Sequence, residues 1–198
     1  MFSSTLVFAL CFFSAVAAAP SSVSSLPGCS GLGANASNTL ASFTLAALNT
    51  SLPNANSTGA PLVLGQAGAI DGATFEVLST WATFPYNDWP TLSLVNGGLY
   101  GNSSYGNQAV SSGATNGTTV GFITTTPTPT PSQVFCIVPN KNSSGLPLLA
   151  LNGHTDEFSL CSNGKGYQNN VAYNASGKSY YYDYTTCYPV VLQVVGTQ

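Results

Sequence analysis

The sequence predicts an all-β fold, β-trefoil-like with internal repeats, and three observations carry that expectation. First, about twelve short apolar runs recur with Gly-, Asn- and Pro-rich turns between them, a spacing that suits a barrel or sandwich and leaves no convincing helix. Second, one phrase occurs twice, as Asn56-Ser-Thr-Gly-Ala-Pro-Leu-Val-Leu and as Asn142-Ser-Ser-Gly-Leu-Pro-Leu-Leu-Ala. Each copy follows an apolar run containing Phe (Phe43–Leu48; Val134–Val138) and precedes another (Phe75–Leu78; Phe158–Cys161). Third, a fainter copy lies between them. Leu92-Ser-Leu-Val-Asn echoes Phe43-Thr-Leu-Ala-Ala, and Gly121-Phe-Ile-Thr-Thr echoes Phe75-Glu-Val-Leu-Ser. Three four-strand units make a trefoil; two copies with long insertions make the alternative, an antiparallel β-sandwich.

Residues 1–18 read as a signal peptide. An apolar stretch, Leu6–Phe13, leads to small residues, with Val16 and Ala18 set for cleavage after Ala18. The run is short for a membrane span and nothing later reaches ~20 apolar residues, so no membrane insertion is expected after its removal. Residues 19–41 form a Ser-, Gly- and Ala-rich N-terminal arm, and 42–198 a single β domain.

Within the domain, Phe43, Leu45 and Ala47 alternate as a strand over Ser42–Leu48. Leu62–Leu64 and Thr74–Leu78 follow, separated by a Gly-rich turn over Gly65–Gly72. Trp81–Pro90 holds two prolines and four aromatics and reads as a loop. Thr91–Val95 and the return from Gly98 flank Asn96-Gly97, a strong short hairpin signal. Residues 102–118 read as loop, and Val120–Ile123 as a short strand. Prolines alternate with threonines over Thr124–Pro131, so this Thr/Pro-rich stretch reads as an extended surface loop open to hydroxyl-linked sugar. Strands are then expected at Val134–Val138, Leu146–Leu151, Glu157–Cys161, Asn170–Tyr173, a tyrosine block Tyr180–Tyr184, and Val190–Val195.

The chain has three Lys, no Arg, six acids and one His in 198 residues. Without arginine forks or a basic stripe, a nucleic-acid partner is not expected. Hydrophobic content of 44% against 5% charge argues for a packed core rather than disorder. Sequons mark Asn35, Asn49, Asn56, Asn102, Asn116, Asn142 and Asn174 as glycosylation candidates. With Cys11 in the signal peptide, four cysteines remain, which in a secreted chain read as two disulfides. Of three pairings, Cys161–Cys187 with Cys29–Cys136 is favoured, ahead of Cys136–Cys161 with Cys29–Cys187. No metal site or cofactor is expected, because no Cys-x-x-Cys occurs and His154 stands alone.

The acids pair poorly for hydrolysis: Asp156 and Glu157 are adjacent and point to opposite sides of a strand. His154 lies near Asp156, without a Gly-x-Ser-x-Gly elbow. The aromatics are the stronger lead. Trp81, Tyr86, Asp88 and Trp89 share one loop; Tyr180 and Tyr182 share a face of the tyrosine block if it is a strand. Such rings can stack on sugar C–H faces while Asn and Asp hold hydroxyls, so cell-wall polysaccharide is the candidate partner; equally, large aromatics plug the ends of a barrel.

The carboxy-terminal third, with Glu157-Phe-Ser-Leu-Cys161, a Tyr-rich stretch and Cys187-Tyr-Pro-Val-Val-Leu, resembles the cysteine-bearing terminal domain of small secreted fungal wall and cell-surface proteins. The likeness covers roughly residues 145–195 and implies a structural or surface role without catalytic residues. The dibasic processing sites and glutamine-rich repeats of better-known wall families do not occur. The expected function is therefore a secreted, N-glycosylated, disulfide-stabilised, non-catalytic protein of the fungal cell surface or extracellular matrix. A carbohydrate-binding module using loop 81–89 is the first alternative and a small secreted hydrolase the second.

Overall fold

The computed structural model describes residues 26–164 and 168–196, so the signal-peptide region 1–18 and Cys11 lie outside the described residues. It contains thirteen strands and one 3-10 turn among them. In chain order these are β1 (Leu40–Asn49), β2 (Ala60–Ile70), β3 (Ala73–Thr80), β4 (Thr91–Val95), β5 (Gly98–Asn102), β6 (Gln108–Gly113), β7 (Thr118–Thr119), β8 (Gly121–Thr125), β9 (Phe135–Val138), β10 (Leu148–Leu151), β11 (Phe158–Ser162), β12 (Asn169–Tyr173) and β13 (Tyr188–Gly196).

Nine strands close into an antiparallel barrel in the order β1-β4-β5-β6-β8-β3-β12-β11-β13, and β13 returns to β1 from Phe43↔Gly196 to Asn49↔Val190. The remaining strands attach outside this ring. β2 runs along the whole of β3 and touches β1 only at Ala46↔Pro61 and Ala47↔Ala60. The β9–β10 hairpin joins β13 at Leu148↔Gln193, and β7 pairs β12. Closure removes the free edges of the nine ring strands and leaves β9 at the end of the pairing order.

The core follows the pleat. Phe43, Leu45 and Ala47 of β1, Leu62 and Leu64 of β2, Phe158 and Leu160 of β11, and Leu192 and Val194 of β13 join one buried cluster. Leu64 reaches across to β5, where a Cβ at Gly101 would lie 2.5 Å from its Cδ1. Glycine at this position thus leaves room for the Leu64 side chain in the packed core. The weakest seam, between β3 and β12, has a single ladder pair, Asn170↔Ser79. Side chains reinforce it: Ser79 Oγ donates to Asn170 Oδ1 (2.7 Å), and Gln168 Nε2 donates to both Ser79 Oγ (2.8 Å) and Asn170 Oδ1 (2.9 Å).

Several sequence expectations need correction. Three four-strand units would give the pairing a threefold order, and it has none; nor do two separate sheets stack as a sandwich. The two repeated phrases fall out of phase. Leu62 joins the barrel core, while its sequence match Leu148 packs on the opposite face against Cys29 and Cys136. A one-residue shift in register reverses which face a side chain serves, and sequence similarity does not detect it. The Gly-rich stretch after Leu64 is strand to Ile70, leaving only Asp71-Gly72 as the turn. Residues 102–118 include β6, whose Ala109, Val110 and Ser111 are buried despite their small, polar setting. The tyrosine block is not a strand: Asp183 caps the short 3-10 turn Tyr184–Thr186 by accepting from Thr185 N.

Other expectations hold. Asn96 and Gly97 both adopt positive φ (50° and 80°), as a two-residue hairpin of this type needs. Both favoured disulfides, Cys29–Cys136 and Cys161–Cys187, are formed. The Thr/Pro-rich loop expected over Thr124–Pro131 begins two residues later, because β8 runs to Thr125; the segment that follows is a strap laid on the barrel, held where Ser132 N donates to Ser111 O (3.2 Å) and Ser132 Oγ to Ser112 O (2.8 Å). The arm is pinned to β9 by Cys29 and by the bridge Ser37↔Ile137. Apart from these outcomes, and as a statement about helices alone, no helix among the described residues is long and apolar enough to cross a membrane.

Candidate functional site

The Trp81–Pro90 loop leaves β3 and enters β4. Its start is fixed by main-chain bonds. Trp81 N donates to Pro61 O (2.9 Å), and Thr83 N and Phe84 N both donate to Thr80 O (3.1 Å). Thr83 Oγ1 also accepts from Asn169 N (2.9 Å), which ties the loop to β12. Beyond this anchor two prolines deny the chain regular pairing.

Trp81 and Trp89 line one cavity of about 170 Å³ together with Asn87, Pro61, Thr91 and Leu62. Trp89 packs against the barrel core, whereas Trp81 is 43% exposed. The cavity is below the ~300–1,000 Å³ of pockets for drug-sized ligands, so it suits one ring rather than a chain. Phe84 and Tyr86 meet edge to face at 5.1 Å, leaving Tyr86 on the surface beside exposed Asp88. Neither Tyr86 nor Asp88 lines the cavity; Asn87 between them does. The loop therefore assembles two indoles and one amide: an apolar stacking surface with a hydrogen-bonding group at its edge.

The tyrosine block contributes differently. Tyr182 is buried, its hydroxyl donating to Gly117 O (3.1 Å) and accepting from Ser176 N (3.0 Å), so it is a structural strut and not a ligand face. Tyr180 is fully exposed and lines none of the three main clefts. Tyr181, which the alternation placed on the opposite face, lines the largest cleft, about 720 Å³, on the outside of β3, β8 and β6. Without a strand, alternation gave no guide to these side chains.

Of the three main clefts only this largest one is lined by an acid, Glu76. Glu76 Oε1 accepts from Thr74 Oγ1 (2.6 Å), and Thr124 Oγ1 lies 3.4 Å from Oε2. Burial raises its pKa, and the two hydroxyls only partly offset this. His154 contacts Glu157 (Nδ1 to Oε1, 3.4 Å) rather than Asp156. Nearby, burial and then Glu157 push the Tyr173 phenol up to about 12, so it stays protonated and donates to Leu151 O (3.3 Å). Among the described residues no cluster of three or more His, Cys, Asp or Glu is placed to hold a metal.

The sequon asparagines separate by exposure. Asn35, Asn56, Asn116, Asn142 and Asn174 are exposed; Asn49 and Asn102 are half-buried. Asn56 and Asn142 each accept the main-chain N–H two residues on, from Thr58 (3.0 Å) and Ser144 (3.2 Å), which holds both loops in the same side-chain-closed turn. Asn102 instead sits on β5 with its amide engaged by Ser93 and Gln108.

In comparison with known proteins, the chain matches no family model, no curated protein and no solved structure.

Proposed function

We propose that this chain is a secreted, N-glycosylated, non-catalytic protein of the fungal cell surface or extracellular matrix. The observation that carries this reading is the pair of disulfides, which fasten the arm to β9 and β11 to the segment entering β13. Such bridges persist in oxidising compartments. Five exposed sequon asparagines on a barrel with little surface charge support the same reading, since sugar then supplies solubility that Lys, Arg and acids do not. Expression with the native leader in a yeast host tests it. The chain should reach the medium oxidised at all four cysteines and should lose mass on treatment with peptide N-glycosidase. Retention inside the cell, or a secreted chain carrying no sugar, would count against it.

A second reading, carbohydrate binding at the Trp81–Trp89 cavity, is favoured by a separate observation: both indoles and Asn87 open onto one ring-sized hollow. Aromatic contacts of this kind contribute ~0.5–1.5 kcal/mol each. Trp81→Ala, at the exposed indole, should therefore weaken retention on the bound polysaccharide by about tenfold while leaving the fold intact. Pull-down on insoluble β-glucan, chitin and mannan measures this. Equal retention of wild type and Trp81→Ala would remove the loop from the interaction.

A further inference from the structure

The largest of the three clefts described above is a groove outside the barrel with an apolar floor, Phe75, Val77 and Ile123, and polar groups at its margins, among them Ser112, Thr119 and Asn152. Tyr181 stands at its side, 58% exposed. Among the described residues no lysine lines it, and its one acid, Glu76, turns its carboxylate to the other face of β3, toward Thr74 and Thr124. An apolar floor with a hydroxyl and amide margin, an aromatic face and no cation among the described residues suits a neutral, polyhydroxylated ligand.

One such ligand has an attachment point on the groove itself. The turn between β6 and β8 forms one wall: Thr115 and Thr118 both line the groove, and between them Asn116 is exposed in an Asn-Gly-Thr sequon. This turn is held rigidly. Thr118 Oγ1 donates to Thr115 O (2.9 Å), Gly117 N donates to Tyr173 O (2.9 Å), and Tyr182, next to Tyr181, donates to Gly117 O. The sequon and the exposed phenol are therefore neighbours in space although 65 residues separate Gly117 from Tyr182. Asn174 shares this corner, but its neighbour Ala175 lines a different cleft with Tyr184 and Tyr188.

We propose that the groove seats the protein's own N-linked glycan, carried on Asn116 and stacked on Tyr181. This rests on the glycoprotein reading above and adds to it a defined intramolecular partner. The glycan covers Phe75 and Ile123, half-buried apolar side chains of the groove floor. Tethering makes the contact intramolecular, so even weak stacking is populated at the high effective concentration of a short linker.

The chain secreted from a yeast host, with its high-mannose sugar, provides the test. Glycopeptide mass spectrometry first scores occupancy at Asn116 and Asn142. Endoglycosidase H is then applied to the folded protein. Release from Asn116 should be about tenfold slower than from Asn142, as one docked aromatic contact would produce, and Tyr181→Ala should abolish the lag. Tyr181 nitration should accelerate once the Asn116 sugar is gone. Equal release rates, or a lag that survives Tyr181→Ala, would overturn the docking. An unoccupied Asn116 beside an occupied Asn142 would overturn it while leaving the glycoprotein reading in place; no sugar at any site would overturn both. Protection of Tyr181 in Asn116→Gln by added mannan or β-glucan oligosaccharide, equal to that in the glycosylated protein, would make the occupant an outside sugar and refute the tethered one.

Discussion

Glu76 occupies a position on β3 that shares its face with Leu78, so the pleat turns a carboxylate toward the core. Its folded pKa is raised above the ordinary 4.5, burial outweighing the Thr74 and Thr124 hydroxyls. The folded state thus holds this proton more tightly than the unfolded chain does. The resulting stability is fully present below about pH 4.5 and is lost as pH rises through the folded value. Asp183 has the opposite sign. The Thr185 hydroxyl and then its N–H lower the Asp183 pKa below 3.8, so its contribution is present above that value and is lost on further acidification. Melting temperature should therefore rise as pH falls from 7 toward 5, and Glu76→Gln should flatten that rise. Scanning calorimetry across the range decides it: parallel profiles for wild type and Glu76→Gln would show that Glu76 is not the cause. Single positions were unevenly legible. Phe43 and Leu45 announced their burial by alternation, whereas Tyr181 and Tyr182 exchanged roles because their segment has no pleat to impose a face.

At the scale of elements, strand existence was legible wherever apolar residues alternate and was lost where small residues pack. β6 hides in Gln-Ala-Val-Ser-Ser-Gly because its place between β5 and β8 is set by neighbours and not by its own hydrophobicity. The repeated phrase was visible, yet its meaning lay in β13. Gln193, 2% exposed, is paired through the main chain with Ala46 on one side and Leu148 on the other. Its Nε2 donates to Ser57 O (2.8 Å) and Thr58 O (3.0 Å), inside the first copy's loop, while Val194 N donates to Pro147 O (2.7 Å) in the second. Both copies converge on this point without being equivalent. Gln193→Leu keeps the ladder and removes both side-chain bonds. It should cost about 1–3 kcal/mol in urea unfolding and make the Asn56 loop the first site of proteolytic nicking. An unchanged midpoint would mean that water replaces the amide without loss.

For the whole molecule, the topology was not legible, because closure depends on pairings remote in sequence. β1 meets β13 across nearly the full domain, and no local pattern encodes that partnership. The two disulfides act on this closure unequally. Cys29–Cys136 spans 107 residues and encloses β1 through β8, whereas Cys161–Cys187 spans 26 and encloses β12. On chain-entropy grounds the longer loop restrains the unfolded state by about 5 kcal/mol and the shorter by ~3–4 kcal/mol. The native contacts point the same way: Cys29 and Cys136 sit in a small apolar cluster with Val138 and Ala150 that holds the arm and the outer hairpin to the barrel. β11 and β13 are in addition paired through the main chain from Phe158↔Val190 to Leu160↔Tyr188, so the Cys161–Cys187 bridge is not their sole connection. Replacing Cys29 and Cys136 by Ser should therefore lower the urea midpoint more than replacing Cys161 and Cys187. The first pair should also expose Phe135 and Ile137 to solvent, read by hydrogen exchange across β9. If the Cys161–Cys187 variant proves the weaker of the two, the barrel's tolerance lies in its arm, and the seam between β11 and β13 holds the molecule together.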